Sequence, residues 1–130
     1  MKKKILLLLI LAASLFAQLT NEYPSQKILN NHTPIVDIRT SSEWRESGLL
    51  KGAIPITFFD EKGAYNVDKF LKELNTKVDT KKPFALICHT GSRTKMVSQF
   101  LSVKLHYKVI NLLGGMMYVK GKGLPTTPYR

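Results

Sequence analysis

Apolar residues fall into two kinds of stretch along this chain. Ile35-Val36-Asp37-Ile38-Arg39, Phe84-Ala85-Leu86-Ile87 and Lys108-Val109-Ile110-Asn111-Leu112-Leu113 are short and nearly continuous in apolar character, the pattern of strands buried in a sheet. Between them the apolar positions recur at helical spacing. Tyr23 to Asn31 predicts a short helix with Pro24 near its first turn and Ile28-Leu29 as its apolar contact. Thr40 with Glu43 three positions on forms a capping box, opening a helix that holds Trp44 and stops at Gly48. Asn66 or Asp68 caps a helix running to about Asn75, with Val67, Phe70, Leu71 and Leu74 on its inner face. Thr94 to Leu101 begins a longer helix through Val97, Phe100, Leu101 and Leu105. Met116 to Val119 begins a last one, broken by Gly121 and Gly123, and Leu124-Pro125 starts the tail. Turns fall at Asn30–Pro34, Asp60–Gly63 and Gly114-Gly115, and Thr76 to Pro83 reads as a lysine-rich surface connection. Strands alternating with helices predict an α/β fold on a largely parallel sheet.

The first seventeen residues stand apart. Lys2-Lys3-Lys4 precedes an unbroken apolar run from Ile5 to Ala13, then Ser14-Leu15-Phe16-Ala17, the layout of a secretory signal peptide. Cleavage is expected after Ala17, with Ser14 as the alternative, and the apolar run is shorter than the ~20 residues that span a bilayer. The expected organisation is a signal peptide over 1–17 and a single domain over 18–130, exported to the periplasm, with no stable membrane anchor after cleavage.

Charge narrows the partners. The chain carries a net +11. Without the three leading lysines, 17 basic residues face 9 acidic ones, a net +8 that attracts small anions. The basic residues are spread out and not interleaved with aromatics, so no nucleic-acid surface is expected. The histidines His32, His89 and His106 lack ligand spacing and Cys88 is the only cysteine. Neither a metal nor another cofactor is expected, and an internal disulfide is excluded. A lone thiol in an oxidising compartment invites a chemical reason for its presence.

That reason sits between the Phe84–Ile87 strand and the next helix. In Cys88-His89-Thr90-Gly91-Ser92-Arg93 the amides of a strand-to-helix turn, the helix N-terminus and the Arg93 charge all favour a thiolate, and so a nucleophile. The alternative is a buried structural cysteine. The strand–Cys–Gly–Arg–helix order resembles the active-site loop of the rhodanese family of single-domain sulfurtransferases. Two further segments resemble that family: Asp37-x-Arg39 with the acidic-aromatic helix and Gly48-x-x-x-Gly52-Ala53 before Ile54-Pro55-Ile56, and Asn111 to Met116 with Gly123-Leu124-Pro125. The resemblance covers about residues 24–125.

It implies a three-layer fold: a mostly parallel sheet of about five short strands with helices on both faces. It also implies sulfane-sulfur transfer through a persulfide on Cys88, from a small anionic donor such as thiosulfate to a thiol or to cyanide. The loop amides from His89 through Thr90, Gly91 and Ser92 to Arg93 would hold the sulfur. Arg93 would orient the anion or, more in keeping with such arginines, tie the loop to its own carbonyls. Asp37 and Arg39 lie where a strand ends; they would support the site, or act structurally, with Asp37 capping a turn and Arg39 pairing with Glu43 or Glu46. Four residues separate Cys88 from Arg93, where tyrosine-phosphatase-type loops have five, so a phosphatase or arsenate reductase is disfavoured. A rhodanese-like module that binds or relays sulfur without turnover is the other reading. A monomer is expected.

Overall fold

The computed structural model describes residues 18–130. The expected leader and its cleavage site lie outside these residues. Five strands form one sheet in the order β1-β6-β5-β2-β4, every neighbouring pair parallel: β1 (Leu19–Glu22), β2 (Ile35–Asp37), β4 (Ile54–Pro55), β5 (Phe84–Ile87) and β6 (Val109–Leu112). A second, two-stranded antiparallel ribbon joins β3 (Leu49–Leu50) to β7 (Thr126–Thr127). The helices are α1 (Gln26–Asn30), α2 (Ser41–Ser47), α3 (Val67–Lys77), α4 (Ser92–Leu105) and α5 (Gly115–Gly121). Among the described residues no helix is long and apolar enough to cross a membrane.

The expected α/β architecture is present. The central strand β5 shows why its sequence lacks polar alternation: successive side chains point to opposite faces, and both faces are covered. Phe84, Leu86 and Cys88 pack with Phe70 and Leu74 of α3 and Val97 and Leu101 of α4. Ala85 and Ile87 pack on the other face with Ile28 of α1 and Met116 and Val119 of α5. Cys88 therefore continues the β5 alternation one step past the strand, onto the α3/α4 side.

Local signals fixed most helix ends. Thr40 and Glu43 make the reciprocal capping box, Asn66 rather than Asp68 caps α3, and Gly48 closes α2. Several boundaries differ from the sequence reading. The first helix starts at Gln26, not Tyr23, because the Ser25 hydroxyl accepts from the Ile28 amide and serves as its cap. Its preceding segment is strand β1, paired with β6. α3 continues to Lys77 and buries Val78, within the stretch read as surface. The tail does not trail away after Pro125 but adds β7 to β3.

Candidate active site

Parallel strands bring their C-terminal ends to one edge, where α/β sheets place their sites. Asp37 and Ile87 are register partners, so the end of β2 lies beside the start of the cysteine loop.

The loop is shaped from behind. The amides of Met116 and Met117, in the first turn of α5, donate to the carbonyls of Cys88 (2.8 Å) and His89 (3.0 Å). With those carbonyls turned towards α5, the following amides are free to face the sulfur. This contact needs Gly115: its φ is +57°, and a Cβ there would strike the carbonyl oxygen of Cys88 and lie 2.5 Å from that of His89. Gly91 has φ +101°, and a Cβ on it would come within 3.2 Å of the Gly114 nitrogen. The loop and the Gly114-Gly115 turn thus approach backbone to backbone.

Cys88 is fully buried, as a structural thiol would also be. Its polar contacts distinguish it. The Gly91 amide donates to Sγ at 3.2 Å, and the Thr94 hydroxyl lies 3.6 Å from Sγ. The same hydroxyl donates to the Gly91 carbonyl at 3.2 Å. Thr94 is itself buried without exposure. One hydroxyl proton therefore has two acceptors, Gly91 O and the sulfur. The sulfur thus sits beside two hydrogen-bond donors and next to the α4 N-terminus.

The loop amides were expected to hold sulfur, and one of them does contact Sγ in the structure. Of the amides from His89 to Arg93, Gly91 supplies the hydrogen bond to sulfur. The helix begins at Ser92, two residues before Thr94, so Ser92 and Arg93 belong to its first turn. His89, Thr90 and Ser92 form an exposed rim, with the Thr90 and Ser92 hydroxyls 3.5 Å apart.

Arg93 does not bind its own loop carbonyls. Its Nη1 and Nη2 donate to Glu43 Oε1 (2.7 Å) and Oε2 (2.8 Å), a bidentate clamp between α4 and α2. The guanidinium pulls the Glu43 carboxyl from its ordinary 4.5 down to about 2, and Glu43 in turn raises Arg93. Glu43 is also the N3 member of the α2 capping box, so one carboxylate both caps a helix and holds the loop arginine.

Asp37 and Arg39 pair with each other, not with Glu43 or Glu46. Arg39 Nε lies 3.0 and 3.1 Å from the two Asp37 oxygens and its Nη2 lies 2.8 Å from Oδ2. The remaining guanidinium donors reach the Ser47 hydroxyl (2.6 Å) and the Gly48 carbonyl (2.7 Å), while the Trp44 indole donates to Asp37 Oδ1 at 3.1 Å. Arg39 is 1% exposed and Asp37 0%. These hydrogen bonds satisfy both charges internally and lock α2 onto the end of β2. Breaking such a pair by removing one partner costs about 3–5 kcal/mol. The geometry makes both residues structural supports of the site, not parts of its reactive surface. Among the described residues, no group of three or more His, Cys, Asp or Glu gathers as metal ligands would.

Sequence reasoning missed two contributors. Thr94 carried a weak signal, a hydroxyl residue in the first turn of the helix after the loop. Glu43 was read as a helix cap and a candidate partner of Arg39, not of Arg93, because its link to Arg93 spans 50 residues of sequence.

The fold and site define the class as an α/β domain with a parallel sheet and a buried cysteine at its C-terminal edge, in a glycine-containing turn into a helix. A family model described as the Rhodanese-like domain matches residues 18–122, and the chain belongs to that family. An uncharacterized protein of Rickettsia prowazekii is 33% identical over 78 residues, which make up 58% of this chain and 62% of that protein. The chain thus spans less than two thirds of that relative's length. The crystal structure of Rv0390 from M. tuberculosis superposes with a TM-score of 0.62 at 23% identity, covering 74% of this chain and 78% of that one. A rhodanese-like domain protein from Staphylococcus aureus gives 0.57 at 22% identity, covering 84% and 97%. At these identities the structural likeness speaks for the fold.

Proposed function

We propose that the protein is a sulfurtransferase that carries sulfane sulfur as a persulfide on Cys88. The Gly91 amide directed at Sγ carries this reading: a hydrogen-bond donor preset beside the sulfur stabilises an anion there, in the thiolate before transfer and in the perthiolate after it. The thiolate attacks the outer sulfur of a donor such as thiosulfate. The new S–S bond forms on Cys88, and the old one breaks with its electron pair leaving on sulfite. A thiol or cyanide then attacks the outer sulfur of the persulfide, returning the thiolate. The positive surface favours the approach of anionic donors. The N-terminal leader pattern supports a periplasmic setting, and the chain is proposed to act as a monomer without a metal or other cofactor.

A second reading, a rhodanese-like module that relays sulfur or binds a partner without turnover, is favoured by the complete burial of the thiol. Steady-state formation of thiocyanate from cyanide separates the two. The first reading expects repeated turnover by the wild type and none by Cys88→Ser, at equal folding stability. A wild type that makes no more than one equivalent per chain would favour the relay module.

A further inference from the structure

Cys88 lies one residue past the end of β5, so the site occupies the edge where strands finish. At the opposite edge the strands begin, and α3 and α4, which run back along the sheet, come to their ends. Lysines collect there. Lys77 closes α3, Lys81 and Lys82 lead into β5, Lys104 stands at the end of α4, and Lys108 leads into β6. All five are exposed. The stretches 76–83 and 103–109 that carry them hold one acidic residue, Asp79, whose carboxylate accepts from the Lys81 amide at 3.1 Å. Among the described residues the ion pairs are Arg39–Asp37 and Arg93–Glu43, so the five ammonium groups are uncommitted. Five lysines against one aspartate supply +4, half of the net +8 that remains without the three leading lysines. Scattered in sequence, these charges are gathered by the parallel sheet.

The chain enters the domain at the same edge. β1 runs parallel to β6 with Leu19 opposite Val109, and the Val109 amide donates to the Gln18 carbonyl at 2.7 Å. In the sequence, five residues separate Leu19 from the apolar run Ile5 to Ala13. That connection reaches about 20 Å at full extension. Apolar residues seated in a bilayer would therefore hold the lysine edge against its surface, with Cys88 on the far side. We infer that the sheet edge opposite Cys88 is a membrane-facing surface, whose lysines bind the anionic headgroups of a lipid bilayer while the cysteine loop points into solution. The contact is peripheral and reversible, because it rests on charge at a wet surface. The same charges suit nucleic acid less well. Tyr107, the aromatic residue of these stretches, packs its ring on Phe84 and its hydroxyl accepts from Asn75, which leaves no free platform for a base.

Co-sedimentation of the full chain with vesicles of phosphatidylcholine, with and without one third phosphatidylglycerol, tests this. The gain from phosphatidylglycerol reads the charge, since the apolar leader and Lys2-Lys3-Lys4 are common to every variant. Joint replacement of Lys81, Lys82 and Lys108 by Gln should cut that gain by about tenfold or more at low salt. The same change at Lys62, Lys69 and Lys95, in the turn after β4 and near the starts of α3 and α4, removes equal charge towards the Cys88 edge and should leave most of it. Added sodium chloride should release the wild type to its phosphatidylcholine level. On the vesicles, amide hydrogen exchange should slow over 76–83 and 103–109 and stay unchanged over 89–93. Equal losses in the two triple variants, protection at the cysteine loop, or no gain from phosphatidylglycerol would overturn the inference. So would a single-stranded DNA oligonucleotide that binds the wild type, and not the Lys81/Lys82/Lys108 variant, under conditions where the vesicles do not: the edge would then belong to nucleic acid.

Discussion

The reactive centre reduces to three atoms held within hydrogen-bonding reach: Cys88 Sγ, the Gly91 amide nitrogen and the Thr94 hydroxyl oxygen. The hydroxyl has alternative acceptors in Gly91 O and Sγ. With a thiol present, the S–H can donate to Thr94 while Thr94 donates to Gly91. With a thiolate present, the Thr94 proton turns to sulfur. Hydrogen bonds to charged groups contribute about 1.5–3 kcal/mol, so Thr94→Val, alike in shape without the hydroxyl, should slow persulfide formation by about tenfold or more. Thr94→Ser should recover most of that rate. Single-turnover kinetics would measure both, and a valine variant as fast as wild type would reduce Thr94 to a packing residue.

Among the elements, α2 and α4 flank the loop and are joined through Glu43 and Arg93. Glu43 titrates near 2 in the folded protein against 4.5 ordinarily. A folded value below the unfolded one means that the ionised form stabilises the fold above pH 4.5, and that this contribution disappears as pH falls from 4.5 towards 2. The stability gap between wild type and Glu43→Gln should therefore be present at neutral pH and close across that window. Added salt should narrow it too, because the pair is partly exposed. Urea unfolding at several pH values checks this; a gap unchanged down to pH 2 would remove the ion pair from the account.

The same elements show what the sequence could disclose. Capping residues and apolar spacing act locally, so α2, α3 and the β5–loop–α4 unit were legible from Thr40, Glu43, Asn66 and the run Phe84–Ile87. β1 was not: only Leu19 of its four residues is even partly buried, and its pairing partner Val109 lies far along the chain. β3 and β7 are two residues each and exist only through their mutual pairing. Arg39 was given the wrong partner because it was paired forward with the acidic residues of the following helix, whereas the end of β2 turns its side chain back onto Asp37.

At the scale of the whole molecule, the parallel sheet fixes where chemistry can occur. Both faces are sealed by helices, and the strand ends near β2, β5 and β6 converge on one loop. The α5 amides behind that loop and Glu43 of α2 beside it come from widely separated segments, so the site exists only in the folded domain. On the proposed function, this arrangement makes Cys88 a sulfur carrier. Intact-mass measurement after exposure to thiosulfate or glutathione persulfide, and again after cyanide or a thiol, tests it most directly. The expected result is one added sulfur on the wild type with at least one donor, absent in Cys88→Ser and removed by the acceptor. No added sulfur from either donor, or equal addition to Cys88→Ser, would contradict it.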